Sequence, residues 1–197
     1  SFPTRRSSDL PSVHLDLVLT GRYVDLEAEN IDLAIRIGRV LGTAAMAYRE
    51  LPAISRLLCA SPAYLATNGT PRMPMDLERH QCVVQTHRPQ DHAWRLVDQA
   101  GAEHFAQVAG RLAVNDTASL TKAALAGMGI VSTADYLVRE YLAVGSLVRV
   151  LPGYRPPAAH LMAAYRPNPQ TGLKVRRCAD FLAHELAVRL GHANASP

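Results

Sequence analysis

His184 and Glu185 begin the pattern His-Glu-x-x-His, in which two histidines on one face of a helix hold a zinc ion. Val188 stands where the second histidine is required, so this zinc pair is incomplete. Three more histidines lack helical spacing and a neighbouring cysteine or carboxylate ligand: His80, His87 and His92. The sequence therefore predicts no metal and no cofactor.

Enzyme motifs are equally absent from the sequence. It contains no Gly-x-Ser-x-Gly, no phosphate-binding Gly-x-x-x-x-Gly-Lys and no Gly-x-Gly-x-x-Gly, and Gly127-Met128-Gly129 follows a predicted helix, not a strand. No nucleophile stands beside a base in any known pattern. We therefore expect a binding protein and not an enzyme.

Composition limits the class of protein further. The chain has 197 residues, 48% hydrophobic and 19% charged, which suits one large α/β domain or two small lobes. The net charge is +4, but the basic residues are scattered and the tightest groups are Arg5-Arg6 and 174–177, so no nucleic-acid groove is predicted. Three widely spaced cysteines favour a reducing, cytoplasmic setting, and no apolar run is long enough to cross a membrane.

Hydrophobic patterning predicts strands and helices in alternation through the first half. Residues 13–19 alternate apolar and polar side chains as a strand does, 24–30 form a short acidic helix, and 33–37 form a buried strand. This succession indicates a parallel α/β unit. A strand over 54–60 and a helical turn over 63–67 follow. Two proline-rich segments, 70–74 and 153–157, resemble crossings between lobes.

The second half contains the clearest helix. Asn115-Asp116-Thr117 supplies capping side chains for a helix over 118–126, and Gly127 suits its left-handed end. A second helix is predicted over 134–141, with a final amphipathic helix near the carboxyl terminus. The strands predicted in this half are 82–85, 94–97, 105–114, 129–132, 147–151 and 160–165, with a hairpin turn at 99–101.

Several motifs, in order, resemble one family. Residues 24–26 with 29–38 (EN-IDLAIRIG) are similar to a segment of the LysR-type transcriptional regulators, as are residues 61–65 (SPAYL) with the Gly, Pro and His that follow to position 80. The further matching blocks are Trp94, 115–116, 123–130, 145–148, 151–152 and 174–182. Each motif is weak alone, but their order and spacing are specific, and the resemblance covers about residues 11–190.

The resemblance implies the carboxyl-terminal effector-binding domain of such a regulator. Its fold would be the type II periplasmic-binding-protein fold, an α/β architecture in which two crossing strands join two lobes. Lobe I would comprise 13–60 and 158–190, and lobe II 61–157, with tails at 1–12 and 191–197. The first strand and helix of the domain are expected to be missing. DNA would be contacted only through a helix-turn-helix domain outside these residues, and the family implies a homo-oligomer, dimer or tetramer.

In a two-lobed binding fold a small-molecule effector sits between the lobes, at strand carboxyl ends and helix amino termini. By the resemblance, our candidate effector-binding residues are Thr20, Gly21, Arg36, Ile37, Gly38, Tyr64, Asn115, Asp116, Thr117 and Ser132.

Several candidates have an ordinary structural alternative. Asp116 or Thr117 could serve only as the cap of its helix, and Asp116 would repel an anionic ligand. Arg36 could pair with Asp32 or Glu29, and Tyr64 could simply pack. Two rival functions remain: a solute receptor of a transport system, and an enzyme on the same scaffold.

Overall fold

The computed structural model describes residues 15–22, 24–38, 46–85, 92–167 and 172–190. In chain order the elements are β1 (Leu33–Ile37), β2 (Ala47–Ile54), β3 (Arg56–Ala60), α1 (Pro62–Asn68), a 3-10 helix (Pro74–Arg79), β4 (Cys82–Gln85), β5 (Ala93–Asp98), β6 (Glu103–Gln107), β7 (Ala113–Val114), α2 (Thr117–Leu125), β8 (Ile130–Ala134), α3 (Asp135–Ala143), β9 (Val148–Val150), β10 (Tyr154–Arg155), β11 (Ala159–Tyr165) and α4 (Gly172–Arg189).

The strands form three sheets. The first sheet has the order β1-β11-β2 and is antiparallel throughout. The central sheet has the order β7-β4-β8-β3-β9, with β4 parallel to both β7 and β8 and β3 antiparallel to β8 and β9. A small hairpin sheet has the order β10-β5-β6. The predicted α/β class is therefore present, built from mixed sheets.

The central sheet is buried on both faces because its strands are almost wholly apolar. On β3, Leu58 and Ala60 join one core with α1, the 3-10 helix and the hairpin sheet. The alternate residues Leu57 and Cys59 join a second core under α2 and α3. The two-residue period of a strand thus divides β3 between two cores. A third core lies between the first sheet and α4 and is built around Leu161 and Val175.

The helix predicted at 118–126 is confirmed as α2, one residue earlier. Asp116 is its N-cap, and Gly127 follows it with a φ of 73°, a left-handed value that favours glycine. The strand over 82–85 is confirmed as predicted, and the hairpin turn at 99–101 closes on Gly101, whose φ is 87°. The side chains that define these elements lie within or next to them in the sequence, so the elements could be predicted from the sequence alone.

The prediction of a first strand over 13–19 is wrong for the described residues 15–20. They have no strand pairing, and their apolar side chains are 61–80% exposed: Leu15, Leu17, Val18 and Leu19. Alternation makes a strand only where a neighbouring backbone accepts its hydrogen bonds, and none does so here among the described residues. Residues 13 and 14 and both predicted tails, 1–12 and 191–197, lie outside the described part of the chain.

Two further predictions near the amino terminus are wrong. Residues 26–30 form turns and not a helix, with the Asp25 carboxylate accepting from the backbone nitrogens of Glu27 (2.9 Å) and Ala28 (3.2 Å). The expected parallel unit is also absent, because β1 pairs antiparallel with β11 from the far end of the chain.

The strand predicted at 54–60 is split at Ser55. Residues 56–60 form β3, and 47–54 form β2, which we did not predict. We grouped 56–60 with lobe I, but β3 pairs with β8 and β9 of the central sheet because its leucines fill that sheet's two cores. The chain therefore passes between sheets at Ser55, and returns at 156–158.

The long strand predicted over 105–114 is also divided. Residues 103–107 belong to the hairpin sheet as β6, and 113–114 belong to the central sheet as β7. Between them Ala109 bridges to Gln81, and Gly110 lies against the backbone of Cys82. The chain changes sheets at this close approach.

Candidate functional site

Three parallel strands of the central sheet end at one edge, which we call the carboxyl edge. It comprises Gln85 at the end of β4, residues 115–117 after β7, and 132–134 at the end of β8. Because β3 runs the opposite way, it begins at this edge with Arg56. Strand carboxyl ends in α/β sheets are the usual place for a ligand, because helix amino termini and loops gather there.

Helix α2 begins at the carboxyl edge. Its cap Asp116 accepts a hydrogen bond from the Ser119 backbone nitrogen (2.8 Å), and hydrogen bonds from Ser119 lower the pKa of the Asp116 carboxyl. Asp116 therefore does cap the helix, the alternative we left open. Asn115 is exposed beside it, and Thr117 is half-buried at the first helical position.

Ser132 and Arg56 meet at the same edge. Ser132 is buried on β8, and an Arg56 guanidinium nitrogen, Nη2, donates to the Ser132 backbone oxygen (3.3 Å). Arg56 is half-buried, and our sequence analysis did not identify it. The sequence signal for Arg56 is an arginine that opens an otherwise apolar strand, RLLCA, since a charged residue there marks where the strand meets solvent.

Thr133, next to Ser132, faces the side of the central sheet that is covered by α2 and α3. It is opposite Leu57 on β3, is 1% exposed, and its hydroxyl is the one buried side-chain oxygen or nitrogen among the described residues without a hydrogen-bond partner. Burying a hydroxyl without a partner costs free energy.

We expect Thr133→Val to raise the free energy of unfolding by about 1 kcal/mol, because it removes an unsatisfied hydroxyl and keeps the shape. Chemical denaturation measures this. The matched control is Thr121→Val, since the Thr121 hydroxyl is buried and donates to the Thr117 backbone oxygen (3.3 Å). A Thr133→Val variant that loses as much stability as Thr121→Val would contradict the prediction.

The candidates from the first sheet lie where β1 ends. Gly38 has a φ of 100°, and its backbone nitrogen donates to the His160 oxygen (2.8 Å), while Ile37 is 63% exposed. Because β1 and β2 are both antiparallel to β11, they run the same way, so Gly38 lies at the edge where β2 reaches Ser55. Ile37 and Gly38 therefore lie at the end of the first sheet from which the chain crosses to the central sheet.

Arg36 is half-buried, and its guanidinium donates to the Val24 backbone oxygen. Of the two salt-bridge partners that we considered for it, Glu29 pairs with Arg22 through both carboxylate oxygens. Thr20 and Gly21 are exposed, and the Thr20 hydroxyl accepts from the Arg22 backbone nitrogen (3.3 Å). Because 15–20 is not a strand, Thr20 and Gly21 do not mark a strand end, which corrects that prediction.

Tyr64 is a core residue, so our placement of it in the site is corrected. It is 5% exposed, its hydroxyl accepts from the Gln81 backbone nitrogen (2.9 Å), and the hydroxyl lies 3.1 Å from His80 Nδ1. The Ser61 side chain caps α1 by accepting from the Tyr64 nitrogen (3.3 Å). The cap and the hydroxyl contacts together hold Tyr64 inward, as the packing alternative required.

The buried His80 ring makes stability depend on pH. Burial lowers its pKa below 6.5, more than the nearby Asp76 carboxylate raises it. The unfolded chain therefore binds this proton at a higher pH than the folded chain, so stability falls as pH drops from about 6.5 toward the lower folded pKa. We expect urea unfolding to show this loss in the wild type. His80→Asn should lack it, and an equal pH dependence in both proteins would contradict the assignment to His80.

Candidate metal ligands and two buried thiols are the remaining reactive groups of the described residues. Within 15–22, 24–38, 46–85, 92–167 and 172–190, no three His, Cys, Asp or Glu side chains are grouped to hold a metal ion. Cys59 and Cys82 are buried, and burial raises the pKa of each thiol to about 12, which suppresses the reactive thiolate. The same part of the chain contains no helix that is both long and apolar enough to span a bilayer.

A family model described as the LysR substrate binding domain matches residues 7–187. The chain belongs to this family. The resemblance found in the sequence motifs is thereby confirmed, and so is the expected type II periplasmic-binding-protein fold, because the regulatory domains of these proteins share the architecture described above.

Curated relatives of this LysR substrate-binding domain are transcriptional regulators. The chain is 36% identical to the HTH-type transcriptional regulator DmlR of Escherichia coli K12 over 180 residues, covering 90% of this chain and 57% of DmlR. It is 32% identical to the HTH-type transcriptional activator TtdR of the same strain over 188 residues, covering 95% of this chain and 60% of TtdR. The chain thus spans about 60% of the length of these relatives.

Solved regulatory domains have the same fold. The regulatory domain of CrgA, a LysR-type transcriptional regulator from Neisseria meningitidis, superposes with a TM-score of 0.78 at 28% identity, covering 91% of this chain and 87% of that domain. Full-length AphB, a virulence activator of Vibrio cholerae, gives 0.75 at 25% identity, covering 91% and 60%. These relatives are regulators and not enzymes, and they do not favour a transport receptor.

Proposed function

We propose that this LysR substrate-binding domain binds a small-molecule effector at the carboxyl edge of the central sheet, between two lobes. The observation that carries the proposal is that three features lie at this edge. They are the ends of the parallel strands β4, β7 and β8, the start of α2, and the crossing at Ser55. One lobe contains the first sheet and α4, and the other contains residues 56–155.

The chemistry of the edge supports a polar ligand with acceptor oxygens. Thr117 and Ser132 offer hydroxyls, Asn115 offers an amide, and the first backbone nitrogens of α2 lack helical partners. The partial positive charge at the start of α2 favours an electron-rich group, while the Asp116 carboxylate beside it favours a neutral or singly charged one. Ile37 and Gly38 would face this ligand from the first lobe.

In the whole protein, we propose that the ligand shifts a conformational equilibrium that controls transcription. The support is that DmlR, TtdR and CrgA are named as transcriptional regulators. This chain aligns with only a part of DmlR and of TtdR. DNA contact would come from outside the matched region, the assembly would be a homo-oligomer, and the protein would act in the cytoplasm.

Binding is tested by screening a panel of small organic acids, amino acids and sugars for a rise in melting temperature, followed by calorimetry on any compound that binds. We expect Thr117→Val and Ser132→Ala each to weaken binding about five- to tenfold, the usual effect of one lost hydrogen bond. Thr67→Ala is the control, because its hydroxyl is exposed on α1 and donates to the Ala63 oxygen. Equal affinity in all four proteins would remove the carboxyl edge as the site.

A further inference from the structure

A single residue, Ser55, joins the first sheet to the central sheet between β2 and β3. Arg56 pairs with Ala134 in the β3–β8 ladder, and two further hydrogen bonds hold this point to β8 and α3. The Asp135 backbone nitrogen donates to the Ser55 oxygen (3.0 Å), and Arg56 Nη2 donates to the Ser132 oxygen (3.3 Å). Both contacts reach β8 or the residue that follows it, so the crossing is bound to the strand that carries Ser132.

On the other side of Ser55 the strand pairing is irregular. Ile54 at the end of β2 pairs with Ala159, where the register of β11 shifts before Leu161. The return crossing contains Pro156 and Pro157, which have no backbone N–H with which to fix it to either sheet. A rotation of the peptide after Ser55 would break the hydrogen bond from Asp135 and disturb the pairing of Arg56 with Ala134. A rotation before Ser55 would disturb a pair that is already irregular.

We propose that Arg56 and the Asp135 N–H are positioning groups that fasten the first crossing to the lobe built from residues 56–155, so that the lobes bend on the Ile54 side of Ser55. Arg56 acts through the crossing and need not touch the ligand. This inference rests on the proposed function, because only a bound ligand gives the coupling between the lobes a role. A ligand that moves Ser132 would displace the crossing through the Arg56 contact, and the first lobe would follow.

Asp135→Pro removes one of the two contacts with little other change. Asp135 is the first residue of α3, a position that accepts proline because its N–H has no helical partner. Ala134 has a φ of −70° and a ψ of 137°, the extended conformation that a residue before proline requires. Asp135→Ala is the matched control, since it removes the same carboxylate and keeps the N–H.

The measurement is native-state amide hydrogen exchange on the full 197-residue chain without ligand. We expect Asp135→Pro to raise exchange of amides in 56–58 and 130–134 about five- to tenfold, the effect of one lost hydrogen bond, with 47–54 unchanged and Asp135→Ala at the wild-type rate. Wild-type exchange in a folded Asp135→Pro protein would overturn the proposal. So would an equal rise in Asp135→Ala, or an equal rise in 47–54.

The second contact is tested independently, which keeps the proposal open to refutation if the proline variant does not fold. Arg56→Gln should raise exchange in the same residues, and Arg56→Lys should restore part of the protection because an ammonium still donates to the Ser132 oxygen. Identical exchange in the two variants would count against the contact. Since no ligand is present, these results stand or fall separately from the ligand screen.

Discussion

Gly110→Ala is expected to lower the free energy of unfolding by about 3 kcal/mol or more, which for a chain of this size is a melting temperature roughly 6–12 °C lower. A Cβ atom on Gly110 would stand 1.9 Å from the Cys82 backbone oxygen and 2.9 Å from its carbonyl carbon. Cys82 cannot retreat, because its nitrogen donates to the Ala109 oxygen (2.9 Å) and β4 is paired on both sides. Urea unfolding measures the loss.

The control for this variant is Gly153→Ala. A Cβ on Gly153 meets nothing within 4 Å, and its backbone does not have a left-handed φ, so its stability should stay within about 0.5 kcal/mol of the wild type. Similar losses at the two positions would mean that the close approach to Cys82 is not the cause, since the effect of Gly→Ala on the unfolded chain is stabilising.

Tyr64→Phe is expected to lower the free energy of unfolding by about 2 kcal/mol, because it deletes only the hydroxyl and leaves two polar groups without their partner. The Gln81 backbone nitrogen loses its acceptor at 2.9 Å, and His80 Nδ1 loses its partner at 3.1 Å. The Tyr64 ring packs in the core that also contains Leu77 and Leu96, and His80 is buried beside it, so the ring cannot move to restore these contacts. Thermal and chemical unfolding should report the same loss.

Tyr136→Phe serves as the comparison, since Tyr136 is 43% exposed at the start of α3 and its hydroxyl can be solvated. We expect a change within about 0.5 kcal/mol. If Tyr64→Phe kept full stability but altered ligand affinity, Tyr64 would belong to the site after all, and our placement of it in the core would be mistaken.

Elements defined by neighbouring side chains were predictable from the sequence. The cap at Asp116 and the glycine at 127 bracket α2, and the apolar run 82–85 corresponds to β4. Strand β2 was missed because residues 47–54 contain Pro52 and a charged pair, and they do not alternate cleanly. Proline is tolerated there because β2 is an edge strand, and its existence depends on pairing with β11, a distant partner that no local pattern reveals.

The candidate site was predictable in part. Residues 115–117 and Ser132 were placed by their position at a helix start and a strand end, and the structure brings both to the carboxyl edge. Arg56 was missed because its importance comes from a strand that crosses between sheets, a matter of topology. Tyr64 was misplaced because an aromatic residue in a first helical turn has the same pattern whether it packs inward or faces a cleft.

The chain passes between sheets at Ser55 and again at 156–158, and this has a consequence for the order in which the protein folds during synthesis. All strands of the central and hairpin sheets lie between residues 56 and 155, so that part has its full set of strands once residue 155 has left the ribosome. The first sheet has no central strand until β11 follows. Strands β1 and β2 must therefore wait, unpaired and partly apolar, while a hundred later residues fold, which exposes them to aggregation during translation.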